Sequence, residues 1–94
     1  MKLGTSIKRI VRVDIKSYSV ELEYVDGFRG VVNLGFIFRH GNRKPLVLEI
    51  LRGGIFGKCF VESGALAWPN GYELCPDAIL QWCKEQRKLK KRVA

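Results

Sequence analysis

A single α+β domain is what this chain predicts: a three-stranded antiparallel meander, an irregular or short-helical middle, a β-hairpin and a C-terminal amphipathic helix on the sheet. Three observations carry that expectation. Apolar and polar residues alternate through residues 7–15 and again through 18–24. Asp26-Gly27 divides the second run from a third that begins at Phe28. Pro76-Asp77 then opens a stretch whose apolar residues recur at helical spacing.

In the first strand Ile7, Val11, Val13 and Ile15 share one parity and Lys8, Arg12, Asp14 and Lys16 the other, with Arg9 and Ile10 breaking the pattern. Tyr18, Val20, Leu22 and Tyr24 alternate more cleanly with Ser19, Glu21 and Glu23. Asp-Gly suits a two-residue hairpin turn with positive φ at both positions, and Phe28, Gly30, Val32 and Leu34 supply the third strand. Residues 35–44 read equally as a helical turn or a strand end running into a loop. Pro45 fits the first position of a short helix through Leu51, stopped by a left-handed Gly53. Residues 58–62 and 65–68 make two strands joined by Ser63-Gly64, and Trp68-Pro69-Asn70-Gly71 is a turn in which Pro presets φ. From near Pro76, the residues Ile79, Trp82, Cys83, Gln86 and Leu89 form one helical stripe, and Lys84, Arg87, Lys88 and Lys91 form a basic ridge on another.

The 94 residues carry 17 Lys and Arg against 9 Asp and Glu, a formal charge of +8, with 47% hydrophobic residues, the composition of an ordinary globular chain. Residues 1–83 are expected to form the domain. Residues 84–94, with six basic residues and one acidic, are a basic helix end or tail that holds +5 of the total. No apolar run reaches the roughly 18 residues of a membrane span. The start, Met1-Lys2-Leu3-Gly4-Thr5-Ser6, meets Arg9 and Arg12 before any signal-like stretch, so a cytoplasmic location is expected. Cys59, Cys75 and Cys83 are odd in number, have no C-x-x-C spacing and sit in apolar patterns, as reduced thiols do.

The segment Gly64-Ala65-Leu66-Ala67-Trp68-Pro69-Asn70-Gly71, followed by Pro76-Asp77, resembles the signature of the bacterial domain-of-unknown-function 2442 family. Tyr24-Val25-Asp26-Gly27 and Val31-Val32-Asn33-Leu34 are similar to that family's hairpin and following strand, and Leu51 and Phe56 to its central apolar positions, so the likeness spans residues 9–83. Asn33 stands where that family usually has Asp, and Gly53 where a short acidic step often follows the Leu. The resemblance implies a small α+β domain, in some members joined to a helix-turn-helix or encoded beside another small protein in a pair like a toxin and antitoxin. It implies no catalytic activity and no site residue.

Chemistry-bearing constellations are sparse. A Cys-His nucleophile pair would need His40, the single histidine, beside one of the three cysteines together with an orienting group. Three cysteines and one distant histidine match no zinc-ligand spacing. Residues 53–57 are glycine-rich but lack the order of a phosphate loop. Asp26 and Asp77 are explained by a turn and a helix start. No catalytic, metal-binding or cofactor-binding residue is therefore assigned. Trp68 ends a strand in the apolar register and Trp82 lies on the inward helix stripe, which favours core packing for both, with partial exposure of Trp68 at its turn as the alternative. The expectation is a non-enzymatic binding module that acts through a protein partner or self-association, with Trp68, Pro69, Asn70 and Gly71 as the candidate partner surface. The second class is a nucleic-acid-associated regulator, without base-specific readout, in which Lys84, Arg87, Lys88, Lys90, Lys91 and Arg92 contact phosphates. A small hydrolase or nuclease is the third. No membrane partner is expected.

Overall fold

Three strands, β1 (Ile7–Asp14), β2 (Ser19–Tyr24) and β3 (Arg29–Asn33), form an antiparallel sheet in sequence order, as the alternating runs require. The computed structural model describes the backbone of residues 6–40 and 45–93 and the side chains of residues 6–38 and 45–88. A second antiparallel sheet orders β4 (Phe60–Glu62), β5 (Ala65–Ala67) and β6 (Glu73–Leu74), so the expected hairpin gains a third strand. Among the described residues three helices accompany the sheets: α1 (Leu34–His40), α2 (Pro45–Arg52) and α3 (Pro76–Val93), with a 3-10 turn at Phe56–Lys58.

The two residues that broke parity in β1 have a structural cause. Ile7 pairs with Tyr24, Arg9 with Glu23, Ile10 with Leu22, Arg12 with Glu21 and Val13 with Val20, and the register slips between Ile7 and Arg9 and again between Ile10 and Arg12. Each slip is a bulge that inserts one residue and returns the next apolar side chain to the core face. Ile7, Ile10 and Val13 therefore lie opposite the buried Tyr24, Leu22 and Val20 at a spacing of three rather than two. Arg9 and Arg12 are left on the solvent face.

Leu34 was expected to end β3 and instead begins α1. The Asn33 side-chain oxygen accepts the Phe36 N–H at 3.1 Å, a cap that turns the chain out of the strand and decides the ambiguous middle in favour of helix. Pro45 does open α2, which runs one residue beyond the expected end. Its left-handed residue is Gly54, at φ +72, while the Gly53 N–H still closes on the Glu49 carbonyl at 2.7 Å. Between β1 and β2, Tyr18 holds φ +54 because its surroundings fix it: its carbonyl accepts the Leu34 N–H at 2.8 Å and its ring stands edge-on to Phe56, with centroids 5.1 Å apart.

The Asp26-Gly27 turn differs from the expected two-residue type. The Tyr24 carbonyl accepts the Gly27 N–H at 2.9 Å and the Tyr24 N–H donates to Phe28 at 2.7 Å, which encloses a loop of residues 25–27. Only Gly27, at φ +95, is left-handed, because the Asp26 carboxylate accepts the Phe28 N–H at 3.0 Å from an ordinary backbone conformation. Ser63 and Gly64, at φ 51 and 82, make the two-residue turn with both positions positive.

The core gathers side chains from both sheets and all three helices, including Leu22, Leu34, Val47, Ile50, Phe56, Leu66 and Ile79. At its centre lies Trp68, 1% exposed, with ring centroids 6.0 Å from those of Phe38, Phe56 and Tyr72. Its indole N–H donates to the Phe56 carbonyl at 3.0 Å, which meets the one polar requirement of a buried Trp. Trp68, one residue past β5, is thus in the core, as its apolar register favours, and the alternative in which its ring is exposed on a partner surface is corrected.

Helix α3 starts where Pro76 and Asp77 place it. The Tyr24 hydroxyl donates to the Pro76 carbonyl at 3.0 Å, and Ile79 and Cys83 are buried against the sheet. The close approach needs Gly30: a Cβ there would stand 2.9 Å from the Phe28 ring and 3.2 Å from the Cys83 sulfur. The Leu89 side chain, expected on the same stripe, lies outside the described residues.

Candidate functional site

The turn at residues 68–71 repeats the geometry of residues 24–27 and then departs from it. The Trp68 carbonyl accepts the Gly71 N–H at 3.0 Å, the Trp68 N–H donates to Tyr72 at 2.9 Å, and Gly71 takes φ +91. Pro69 and Gly71 are exposed. Asn70 is not free to recognise a partner, because its amide donates to the Leu46 carbonyl and to Glu49, both at 3.0 Å, and its oxygen accepts the Tyr72 N–H at 3.2 Å. The turn is a bracket that fastens the second sheet to α2.

Of the six basic residues, Lys84, Arg87 and Lys88 are exposed on α3, and the side chains of Lys90, Lys91 and Arg92 lie outside the described residues. Arg87 is partly committed. Its guanidinium donates to the Arg29 carbonyl at 3.3 Å and stands 5.3 Å from the centroid of the Phe28 ring. Gln86, next to it, accepts the Asn33 N–H at 2.8 Å and donates back to the Asn33 carbonyl at 3.2 Å. Gln86 and Arg87 are the last residues of α3 with a described contact to the sheet, and the helix continues to Val93.

The thiols are held in their neutral form where they are buried. Burial pushes Cys83 up to about 11, with Arg87 pulling the other way, and burial also raises Cys59; Cys75 is exposed. Among the described residues no group of three or more His, Cys, Asp or Glu is placed to hold a metal ion. The His40 side chain lies outside the described residues. No helix among them is long and apolar enough to cross a membrane.

The solvent face of the first sheet was not singled out by sequence. It presents Arg9, Glu23 and Arg29 across the three strands, then Arg12, Glu21 and Val31, then Asp14, Ser19 and Asn33. Arg9 bonds Glu23 at 2.7 Å, and Arg29 approaches the same carboxylate at 3.8 Å. The hydrogen bond from Arg9 holds the Glu23 carboxyl below its ordinary range against an opposing desolvation, and the charges of Arg9, Lys8 and Arg29 add to the lowering. Arg9, Arg12 and Arg29 are interspersed on this face with Asp14, Glu21 and Glu23, and Lys8 adds a further cation near Glu23. At its loop end Arg12, Asp14, Ser17, Ser19, Glu21 and Val31 line a shallow depression of about 170 Å³, with the Ser17 hydroxyl donating to that of Ser19 at 2.9 Å. Val31 is an apolar side chain 48% exposed among these polar groups. The signal was legible: once Gly30 and Val32 face inward, Val31 must face out.

No protein-family model, curated protein or solved structure matches this chain.

Proposed function

We propose that this chain is a non-enzymatic binding module that works by contact with a protein partner through the solvent face of its first sheet. The observation that supports this reading is the composition of that face. Cations and carboxylates alternate across it, with Arg9 and Arg29 on Glu23, Arg12 opposite Glu21, Lys8 close to Glu23 and Asp14 at the end, so it is a mixed-charge face rather than a single basic patch. Val31 offers an apolar centre, and the surrounding arginines are the charged residue type enriched at protein interfaces. Buried side chains elsewhere serve the core, and the Trp68 turn serves α2.

The test is quantitative capture from the native host by the tagged full chain and by Val31→Glu and Arg12→Glu variants, each checked for folding by circular dichroism. A companion retained by the wild type and lost from both variants supports the proposal. Equal retention by all three, or no companion at all, overturns it.

A second reading has its own observation. Lys84 and Lys88 stand exposed on α3 with no hydrogen bond or ion pair among the described residues, at the start of the segment that carries most of the net charge. Together with Arg87, Lys90, Lys91 and Arg92 they would contact phosphates of a nucleic acid without reading its sequence. On this reading affinity for a random duplex falls steeply with salt, and truncation after Cys83 removes nearly all of it. Binding that survives the truncation would end it.

A further inference from the structure

The free edge of β3 follows from its register. Tyr24 bonds Phe28 and Leu34 bonds Tyr18, so the even-numbered residues of β3 direct their peptide groups at β2. Arg29, Val31 and Asn33 direct theirs away from it, and among the described residues β3 is the last strand of its sheet. Such an edge is a template for a further strand.

Side chains of α3 already occupy part of that template. Gln86 gives Asn33 the two reciprocal bonds, at 2.8 and 3.2 Å, that an opposed strand residue would give, and Arg87 takes the Arg29 carbonyl at 3.3 Å. Between them the outward peptide of Val31 has no partner among the described residues. The helix itself packs on the inner face, where Cys83 meets Gly30, so it is these two side chains that cross the edge.

We propose that Gln86 and Arg87 form a latch that keeps the β3 edge from pairing with β3 of a second copy of this chain. The second copy is the occupant the edge fits. Antiparallel pairing about a two-fold axis at Val31 sets Val31 beside its counterpart, Arg29 beside Asn33, and Gly30 beside Val32, so no like charges face each other across the join. The groups it would engage on Asn33 and Arg29 are those the latch holds, so the two arrangements compete directly. This inference rests on the reading of the chain as a protein-contact module and adds the second copy and the control over it.

Sedimentation velocity on the full chain at tens of micromolar tests it. The wild type is expected to be monomeric, and a Gln86→Ala/Arg87→Ala double variant to self-associate about tenfold more tightly or better. Adding Val31→Pro should return the double variant to monomer, because proline is tolerated where an edge N–H faces solvent but deletes the central donor. Should the double variant fail to fold, Gln86→Glu keeps the helix and side-chain volume while removing the donor to Asn33, and is expected to shift association in the same direction. A released variant that is no more associated than the wild type, or a dimer that survives Val31→Pro, overturns the latch. If the wild type still captures a companion through Val31 in that case, the binding-module reading stands without it.

Discussion

Two turns in this molecule share one backbone scheme and are put to different uses. Tyr24-Val25-Asp26-Gly27-Phe28 and Trp68-Pro69-Asn70-Gly71-Tyr72 both enclose three residues, both place a left-handed glycine last, and both bond the Asx oxygen to the N–H of the closing aromatic residue. In the first the Asx residue is exposed and serves its own loop. In the second the amide of Asn70 supplies donors that a carboxylate would lack, and they reach Leu46 and Glu49 of α2. The flanking aromatic of the second is the centre of the core. In the second turn Trp68 and Asn70 are thus committed to the core and to α2, while Pro69 and Gly71 stay exposed.

The comparison yields an ordered set of expectations. Trp68→Ala removes the largest fully buried side chain and orphans the Phe56 carbonyl, so denaturant unfolding should show a loss of about 3–5 kcal/mol. Asn70→Ala should cost about 2 kcal/mol in the same measurement, from two bonds to α2 and one to Tyr72. Gly71→Ala and Gly27→Ala meet no atom within 4 Å, so each should cost only the left-handed backbone term of about 1–2 kcal/mol. The two losses should agree within a few tenths of a kcal/mol, and a clear difference would break the claim of a shared turn. Asp26→Ala, which deletes one exposed bond, should cost about 0.5–1 kcal/mol or less. A gentler check reads α3 itself: in the folded protein iodoacetamide at pH 8 should label Cys75 first and Cys83 last, and equal rates would mean that the helix does not stay on Gly30.

Much of the architecture was legible because the determining signals are local. Alternation fixed β2, Pro76-Asp77 fixed the start of α3, and Ser63-Gly64 fixed a hairpin. Elsewhere the pattern was visible but its cause was not. Arg9 and Ile10 broke the period of β1 because two bulges change the spacing to three, and a bulge depends on the partner strand. The Asn33 cap was available as a residue type but competed with an apolar run that read equally as strand. Glu73–Leu74 is too short to show any period, and it became β6 only through pairing with β5. The proposed contact surface was the least legible part. The bare face of the first sheet depends on which register each charge occupies, and the β3 edge on contacts between residues more than fifty apart in sequence.

The central claim is that docking uses the outward face at Val31 rather than the turn at Trp68, and one measurement separates the two directly. Capture of companions from the native host is compared, by quantitative mass spectrometry, for the wild type, Val31→Glu and Pro69→Glu, all substitutions at exposed positions. The account predicts that the companion is lost from Val31→Glu and retained by Pro69→Glu. Retention by Val31→Glu together with loss from Pro69→Glu would contradict it and return the partner surface to the aromatic turn.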